Sequence, residues 1–394
     1  MPAKKTLEHL LSERASQLPP SDFAQIMKIA EEDASVISLG PGEPDFSTPK
    51  PIIEYCKKVL DEGYTHYSPP GGRHELKEAI AKKLQKENKI PVENALQNVC
   101  VTAGSTEALL LANLCICDAG QEIIVPNPGF IAYKPGVELM QGFALDLHLT
   151  HENGFQIETD ELKKEINPKT KALILCSPSN PTGTVLSKKV LEEIAEIAIE
   201  NQLLIISDEA YEKFVYDGAK HVSIASLNGM FEYCLTLQSF SKTYAMPGFR
   251  VGYACGPKWL VEKMGKLAVY SSLSPNTPAQ LSAQFALEHG DKEVKEMAEE
   301  YNARRKFILK RLKSMNGLHV EVEPEGAFYV FPLIQVKKSS AQLAQYLLDE
   351  AKVLTVPGTE FGSSGEGFLR LSYATALPKI ETALDKIEDA LNKL

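Results

Sequence analysis

The sequence predicts an α/β fold in which a large domain, with a mainly parallel central sheet flanked by helices, is joined to a smaller α+β domain. Between about residues 50 and 290, short apolar runs alternate with helical patterns, as in βαβ units. After residue 290, a long charged helical pattern precedes a stretch that alternates like antiparallel strands. The expected parts are an N-terminal segment that joins the small domain (1–48), a large domain (49–290) and a small domain (291–394).

The strands of the large domain are predicted from runs that are rich in branched apolar residues. Runs of this kind are typical of strands that are buried on both faces of a parallel sheet. They are NVCVTAG (98–104), EIIVPNP (122–128), KALILCSP (171–178), LLIISDEAY (203–211), YCLTLQS (233–239) and FRVGYACG (249–256). A helix is predicted after Thr48–Pro49, ending at Gly63, and another over residues 187–202.

The C-terminal part has a different pattern. A helix is predicted over residues 291–315, and the alternation over 319–332 predicts an antiparallel strand pair. A further helix is predicted at the C-terminus from apolar residues spaced by four and three. These residues are Ile380, Leu384, Ile387, Leu391 and Leu394. This apolar stripe could contact a partner helix, although a stripe of two heptads more often packs on its own domain.

Composition argues against several classes of protein. With 44% hydrophobic and 24% charged residues, the chain resembles a soluble globular protein. A net charge of −10 argues against a nucleic-acid partner, and no apolar run is long enough to cross a membrane. The N-terminal sequence lacks the apolar core of a secretory signal, and the odd number of seven cysteines suits free thiols. We therefore expect a cytoplasmic protein. His148 and His151 form an isolated HxxH pair, so no metal site is predicted.

Polar residues gather where the apolar runs end, and ligands bind beyond the carboxyl ends of parallel strands. Gly104, Ser105 and Thr106 precede an apolar helix, which suits either a phosphate-binding turn or an ordinary helix cap. Asn180 lies in a turn that could simply connect two elements of secondary structure. Asp208 ends a buried strand, so its carboxylate must be paired with a cation or strongly hydrogen-bonded.

The stretch SFSKTYAMPGFR (239–250) brings two cations near one edge of the predicted sheet. Lys242 is either an ordinary lysine with an exposed ammonium or a desolvated amine whose pKa is lowered by Arg250. An amine of the second kind forms Schiff bases. Together with a phosphate-binding turn and the Asp208 carboxylate, it would fit pyridoxal 5′-phosphate, which requires an amine, a partner for its pyridinium nitrogen and a phosphate anchor.

Eight motifs in one order carry a resemblance to a known family. They are GEPDF (42–46), YSPPGG (67–72), AGSTEAL (103–109), PNPGFIAY (126–133), SPSNPTG (177–183), SDEAYEKFVYDG (207–218), SFSKTYAMPGFRVG (239–252) and PEGAFYVF (324–331). With these motifs the chain resembles the class I/II aminotransferases, pyridoxal-phosphate enzymes of fold-type I, and within them the aspartate/aromatic subgroup. The resemblance implies pyridoxal 5′-phosphate as cofactor.

The resemblance also implies a role for individual residues. Lys242 would be the Schiff-base lysine and general acid/base, and Asp208 would pair with the pyridine nitrogen of the cofactor. Tyr211 and Asn180 would donate to its phenolic oxygen, and Phe130 would stack on its ring. The implied phosphate-binding residues are Gly104, Ser105, Thr106, Ser239 and Arg250.

Other implied roles concern the substrate and the assembly. Arg370 would hold the α-carboxylate of the substrate, next to Gly42 and Asn180. Tyr67 would reach the cofactor phosphate of a neighbouring subunit, which implies a homodimer with shared active sites.

The implied reaction is a ping-pong transfer of an α-amino group from an amino acid to a 2-oxo acid, with 2-oxoglutarate expected as acceptor. Thr106 stands where some aspartate enzymes of the subgroup carry a lysine for the distal carboxylate, so we favour a neutral or aromatic donor. Aspartate or alanine remain alternative donors. A carbon–sulfur lyase, a decarboxylase or a cyclopropane-forming synthase on the same scaffold is a further alternative, as is a non-catalytic ligand sensor.

Overall fold

The computed structural model describes residues 7–16, 33 and 35–394. Its helices, numbered in chain order within these residues, are α1 (Glu13–Ser16), α2 (Lys50–Asp61), α3 (His74–Lys83), α4 (Ala95–Asn98), α5 (Ser105–Ile116), α6 (Tyr133–Glu138), α7 (Thr159–Glu165), α8 (Lys188–Asn201), α9 (Phe240–Thr243), α10 (Lys258–Ser271), α11 (Thr277–His289), α12 (Asp291–Ser314), α13 (Ser340–Tyr346) and α14 (Leu377–Leu391). The helices expected after Pro49 and over 187–202 are α2 and α8, and the Ser187 side chain caps α8 by accepting a hydrogen bond from the Val190 amide. None of the described helices has the length and apolar character that crossing a bilayer requires.

The strands of the same residues build one large sheet and several small ones. They are β1 (Ile37–Ser38), β2 (Val99–Thr102), β3 (Glu122–Asn127), β4 (Phe143–His148), β5 (Thr170–Cys176), β6 (Leu204–Asp208), β7 (Cys234–Ser239), β8 (Gly252–Cys255), β9 (Leu318–His319), β10 (Tyr329–Val330), β11 (Leu333–Ile334), β12 (Val353–Leu354), β13 (Val356–Pro357) and β14 (Leu369–Ser372). The large sheet has the strand order β2-β8-β7-β6-β5-β3-β4. Its strands pair in parallel except for β8, which is antiparallel to both of its neighbours.

All six apolar runs form strands of this sheet, which confirms the predicted α/β class with a mainly parallel centre. The edge strand β4 was not predicted. It lacks a continuous apolar run because one end of the sheet leaves it partly open to solvent, and Phe143 is 58% exposed. An edge strand of this kind does not produce the pattern of a strand buried on both faces.

Helices cover both faces of the sheet, as the alternation along β5 shows. Ala172 and Ile174 belong to an apolar cluster with residues of α5 and α10. Leu173 and Leu175 belong to a second cluster, on the opposite face, with residues of α3 and α8. Each fully buried aliphatic side chain of this kind contributes about 2 kcal/mol. The carboxyl ends of the central strands are thereby held in fixed relative positions.

The C-terminal elements pack beside this sheet and include part of the N-terminal segment. Strand β1 pairs in parallel with β12, so residues 37–38 are hydrogen-bonded to the C-terminal region. This pairing supports the proposed assignment of 1–48 to the small domain, although residues 1–6, 17–32 and 34 lie outside the described residues. The division at 48/49 and at 290/291 remains a proposal.

Two expectations for the C-terminal region can be compared with the structure. The stretch 319–332 contributes strands to antiparallel ladders, but its strands do not pair with each other: β9 pairs with β11, and β10 pairs with β14. The C-terminal helix is α14, and it packs on its own core through Ile380, Leu384 and Ile387, whereas Leu394 is 53% exposed. Packing on its own domain therefore accounts for the apolar stripe.

Candidate active site

A cavity of about 320 Å³ opens at the carboxyl ends of β5, β6 and β7. The last residues of these strands, Cys176, Asp208 and Ser239, all line it, together with residues of β10, β13 and β14. The predicted site residues that line this cavity are Gly42, Ser105, Thr106, Phe130, Asn180, Asp208, Tyr211, Ser239, Lys242, Arg250 and Arg370. The fold thus brings together residues that are spread over more than 300 positions of the sequence.

Two predicted residues are not part of the cavity lining. Gly104 packs closely against Arg250, which does line the cavity: a Cβ atom at this position would be 2.5 Å from Nη2 of Arg250. Tyr67 lies on the surface, where it is 83% exposed. A role for Tyr67 in its own subunit's cavity is therefore not supported, and its expected role toward a neighbouring subunit stays a prediction.

Lys242 projects into the cavity from the short helix α9. Strand β7 ends at Ser239, whose Oγ accepts a hydrogen bond from the Ser241 amide at 3.1 Å and so starts this helix. The Lys242 ammonium donates to the Gly42 carbonyl at 2.5 Å. Burial lowers the pKa of Lys242 to about 8, with further lowering by Arg370 and Arg250 against the opposing charge of Glu43. Lys242 is therefore an amine desolvated by burial beside other cations, and its role as the Schiff-base lysine stays a prediction.

Asp208 has two hydrogen-bond donors at the end of β6. The Tyr133 hydroxyl donates to Oδ2 at 2.8 Å, and the Ala210 amide donates to Oδ1 at 3.2 Å. Burial raises the pKa of Asp208, and these two donors act in the opposite direction. Burial also holds the pKa of Tyr133 well above its usual value, so this tyrosine remains a donor. The net shift is upward, so a cationic group bound beside Asp208 would favour its ionised form.

Arg370 lies on β14 between two aromatic rings and is 3% exposed. Its guanidinium carbon is 4.5 Å from the ring centre of Tyr329 and 4.8 Å from that of Phe361. Nη1 donates to Asn180 Oδ1 at 2.9 Å, and Nη2 donates to the Gly40 carbonyl. Burial lowers the pKa of Arg370, yet an arginine stays charged at any physiological pH. A fixed planar cation of this kind is suited to bidentate binding of a carboxylate.

Tyr211 contacts a second tyrosine that no role was predicted for. Its hydroxyl lies 2.6 Å from that of Tyr329, which begins β10. Burial raises the pKa of Tyr329 to about 12 and that of Tyr211 well above its usual value, so both keep their protons. The Tyr329 hydroxyl also fills the space beside Gly42, where a Cβ atom would lie only 2.5 Å away from it.

Another part of the cavity lining is rich in donors. Ser105 and Thr106 form the first turn of α5, Ser239 ends β7, and Arg250 follows β7 before β8. Arg250 has a left-handed backbone (φ +51°), and its guanidinium donates to the carbonyls of Pro247 and Ala103 at 3.0 and 3.3 Å. A helix N-terminus with hydroxyl groups and an arginine has the donors that binding a phosphate group requires.

Several cavity residues had no predicted role. They are Glu43, Tyr133, Cys176, Tyr329, Glu360 and Phe361. Tyr133, Glu43 and Tyr329 lie within motifs that carried the family resemblance, but a tyrosine in an apolar motif has the same local pattern as an ordinary core residue. Burial raises the pKa of the Cys176 thiol to about 12, which makes it a poor nucleophile.

Comparison with known proteins decides the family. The family described as "Aminotransferase class I and II" matches residues 34–387. The chain belongs to this aminotransferase family. The aminotransferase is 47% identical over 374 residues to aspartate aminotransferase of Pyrococcus abyssi, covering 94% of this chain and 95% of that protein. It is 46% identical over 374 residues to aromatic-amino-acid aminotransferase 2 of Thermococcus litoralis, with the same coverage of both proteins.

The structure agrees with this assignment. The crystal structure of aromatic aminotransferase from Pyrococcus horikoshii OT3 superposes with a TM-score of 0.88 at 46% identity, covering 93% of this chain and 99% of that chain. The predicted family, the fold class and the enzyme class are therefore confirmed. The protein is an amino-acid aminotransferase of a family that depends on pyridoxal phosphate.

Proposed function

We propose that this aminotransferase binds pyridoxal 5′-phosphate in the cavity and transfers the amino group of a neutral or aromatic amino acid to 2-oxoglutarate. The observation that carries this proposal is the chemistry of the donor set. One cavity contains an amine with a lowered pKa, a buried carboxylate and a phosphate-type anion site. These groups match the aldehyde, the ring nitrogen and the phosphate of the cofactor.

Each cofactor contact in this proposal has a donor or acceptor in the cavity. Asp208 would accept from the ring nitrogen, and Phe130 would lie against the ring. Asn180 accepts from Arg370 through Oδ1, which leaves its amide nitrogen, together with the Tyr211 hydroxyl, to donate to the phenolic oxygen. Ser105, Thr106, Ser239 and Arg250, with Gly104 packed against Arg250, would hold the phosphate. When bound, the cofactor withdraws electrons from the substrate Cα and carries the amino group between the two half-reactions.

The residues of the chain supply the positioning and the proton transfer. Arg370 would bind the α-carboxylate of the amino acid through its planar fork, beside the Gly42 backbone, and so orient the Cα–H bond. The Nζ atom of Lys242 would take the Cα proton as general base and return it as general acid. Its pKa of about 8 supports this role, because a catalytic base works best when its pKa is near the working pH.

The preference for a neutral or aromatic donor is supported by the cavity lining. Thr106 is uncharged, so it offers no cation to the distal carboxylate of an acidic substrate. The Glu43 carboxylate in the lining would repel that carboxylate. Apolar side chains also line the cavity. They are Phe130, Ile131, Val356 and Phe361. Aspartate is the second candidate donor, because a relative with 47% identity is an aspartate aminotransferase.

We further propose that the enzyme is a cytoplasmic homodimer. Tyr67 and Tyr270 are 83% and 88% exposed, respectively, and large exposed aromatic residues are typical of protein interfaces. In this arrangement Tyr67 would contact the phosphate in the partner's cavity. All seven cysteines are free thiols, as a reducing compartment allows.

A donor panel tests the proposed function. The protein, reconstituted with pyridoxal 5′-phosphate, is assayed for glutamate formed from 2-oxoglutarate with phenylalanine, tyrosine, leucine, alanine or aspartate. We expect the highest kcat/KM with an aromatic or neutral donor, and we expect Thr106→Lys to raise kcat/KM for aspartate. A wild-type optimum with aspartate would contradict the donor preference, and no glutamate from any donor would contradict the proposed reaction.

A further inference from the structure

The turn SDEAYEK (207–213) has two chemically different sides. Asp208 and Tyr211 line the cavity, whereas Glu209 and Glu212 point away from it into a buried group of charges. This ionic cluster consists of Lys83, Glu209, Glu212 and His221. Glu209 is fully buried, and the side chains of the other three members are at most 8% exposed. Asp208 and Tyr211, which are assigned to the cofactor, therefore share a short turn with the two carboxylates of the ionic cluster.

Glu209 has a hydrogen-bond donor on both carboxylate oxygens. The His221 Nε2 atom is 3.0 Å from Oε2, and the Ser223 hydroxyl donates to the same oxygen at 2.5 Å. The Ser207 hydroxyl donates to Oε1 at 2.9 Å. This arrangement fixes the backbone of the residue that directly follows Asp208.

The other half of the cluster connects the turn to neighbouring elements. Lys83 on α3 forms an ion pair with Glu212 and donates to Gln238 Oε1 at 3.2 Å. Asn88 donates to Glu212 at 2.6 Å and to Ser223 at 2.9 Å, so it bridges the two halves. Gln238 directly precedes Ser239, and the cluster therefore also reaches the strand that leads to Lys242.

The charges of the cluster neutralise one another, and the cluster does not form a metal site. Ligand atoms of Glu209, Glu212 and His221 lie within 4.8 Å of one another, a spacing that could hold a cation. The Lys83 ammonium, however, already pairs with Glu212 at this place. The two carboxylates are balanced by Lys83 and by His221 when His221 is protonated, and a buried net charge would be unfavourable.

The charged groups around His221 favour its protonated form. They are Glu209 and Glu212 from the turn and Lys83 from α3. Burial opposes protonation, but the two carboxylates, with Glu209 the stronger, raise the pKa of His221 above its usual value in spite of Lys83. Its Nε2 atom faces Glu209, whereas Nδ1 has no hydrogen-bond partner within the described part of the chain.

We propose that His221 is a positioning residue for Asp208: in its protonated form it balances the charge of Glu209, so that Asp208 keeps its own charge beside the bound cofactor. The inference rests on the proposed function, which assigns Asp208 to the cofactor. The physical reason is that Glu209 and Asp208 are adjacent carboxylates, and an unbalanced Glu209 would favour the protonated form of Asp208. A neutral Asp208 would bind a cationic ring nitrogen less well.

The test is a pH titration of the visible absorbance of protein reconstituted with pyridoxal 5′-phosphate, without amino acid. His221→Gln keeps a side-chain N–H donor but removes the charge, which leaves one buried negative charge in excess. A negative charge stabilises protonated groups around it. We therefore expect the midpoint pH of the change in visible absorbance to rise by roughly 0.5 pH units or more. The double variant Glu209→Gln/His221→Gln removes both charges and should restore the wild-type midpoint.

His319→Gln is a matched control. His319 also faces a glutamate, with its Nε2 atom 3.6 Å from Oε1 of Glu321, but both side chains are more than 40% exposed. This variant should leave the midpoint unchanged.

The outcomes separate this inference from the proposed function. An unchanged midpoint in His221→Gln, an equal shift in the control, or no restoration in the double variant would overturn the charge-balance role. If His221→Gln does not fold, the double variant should still fold with the wild-type midpoint, and loss of folding in both would also overturn the role. Wild-type protein without bound-cofactor absorbance would instead overturn the proposed function, and this inference with it.

Discussion

The hydroxyl oxygens of Tyr211 and Tyr329 lie 2.6 Å apart in the wall of the cavity. Tyr329 also stacks on Arg370, with 4.5 Å between its ring centre and the guanidinium carbon. One tyrosine thus supports two residues with different proposed roles, through its hydroxyl for Tyr211 and through its ring for Arg370. The two contributions can be separated by substitution.

Tyr329→Phe removes the hydroxyl and keeps the ring beneath Arg370. We expect kcat to fall about fivefold with little change in KM, because Tyr211 loses a hydrogen bond worth about 1 kcal/mol and is less well held. Tyr329→Leu also removes the stacked ring and should raise KM for the amino acid. Steady-state kinetics of both variants test this division, and an equal rise in KM for both would contradict it.

Tyr133→Phe removes the hydroxyl that donates to Asp208 at 2.8 Å. Since this hydrogen bond favours the ionised carboxylate, the pKa of Asp208 should rise and cofactor binding should weaken by about tenfold. The measurement is the dissociation constant of pyridoxal 5′-phosphate by equilibrium dialysis. Tyr301→Phe is the matched control, because the Tyr301 hydroxyl is buried without a hydrogen-bond partner among the described residues. Equal affinities in the wild type and Tyr133→Phe would contradict the role.

Arg370→Lys keeps a positive charge but loses the planar fork that the proposed carboxylate contact requires. We expect kcat/KM for the amino acid to fall about 100-fold, since lost charged hydrogen bonds are worth roughly 2–3 kcal/mol. Cofactor affinity should remain that of the wild type. Arg311→Lys is a suitable control because Arg311 pairs with Asp385 and Glu388 near the surface. A comparable loss in the control variant would point to a general effect on stability instead.

The lowered pKa of Lys242 predicts an unusual pH dependence of its reactivity. Only the neutral amine reacts with acylating reagents, and the pKa of about 8 means that half of the Lys242 side chains are neutral at that pH. In cofactor-free protein, the labelling rate of Lys242, followed by mass spectrometry, should rise with pH with a midpoint near pH 8. In denaturant the same lysine should titrate near its ordinary value of about 10.4. A folded-state midpoint near that value would contradict the proposed environment.

The sequence predicts the elements of this protein better than it predicts their contacts. Branched apolar runs identify the buried strands because burial on both faces requires them, whereas the half-exposed edge strand β4 lacks this signal. The short strands of 319–332 show the same limit, since alternation indicates a strand but not its partner. Their partners, β11 and β14, follow later in the chain.

In the candidate site, too, the sequence predicts individual residues better than the contacts between them. Asp208 and Lys242 are conspicuous in the sequence because they are charged residues at the ends of apolar runs. Arg370 lies within β14, and its role was expected only from the family resemblance. Tyr133 and Tyr329 resemble ordinary core residues in sequence. The Tyr133 hydroxyl bonds to Asp208, 75 positions away, and the Tyr329 hydroxyl bonds to Tyr211, 118 positions away. Only the folded chain reveals these hydrogen bonds.

The central claim, that the Lys242 amine performs the proton transfer, is tested most directly by the turnover of Lys242→Ala. The cofactor would still be held by Asp208, Asn180, Tyr211 and the phosphate-binding residues. We therefore predict that reconstituted Lys242→Ala retains pyridoxal 5′-phosphate but forms no glutamate from any amino donor and 2-oxoglutarate. Glutamate formation at the wild-type rate would contradict the account.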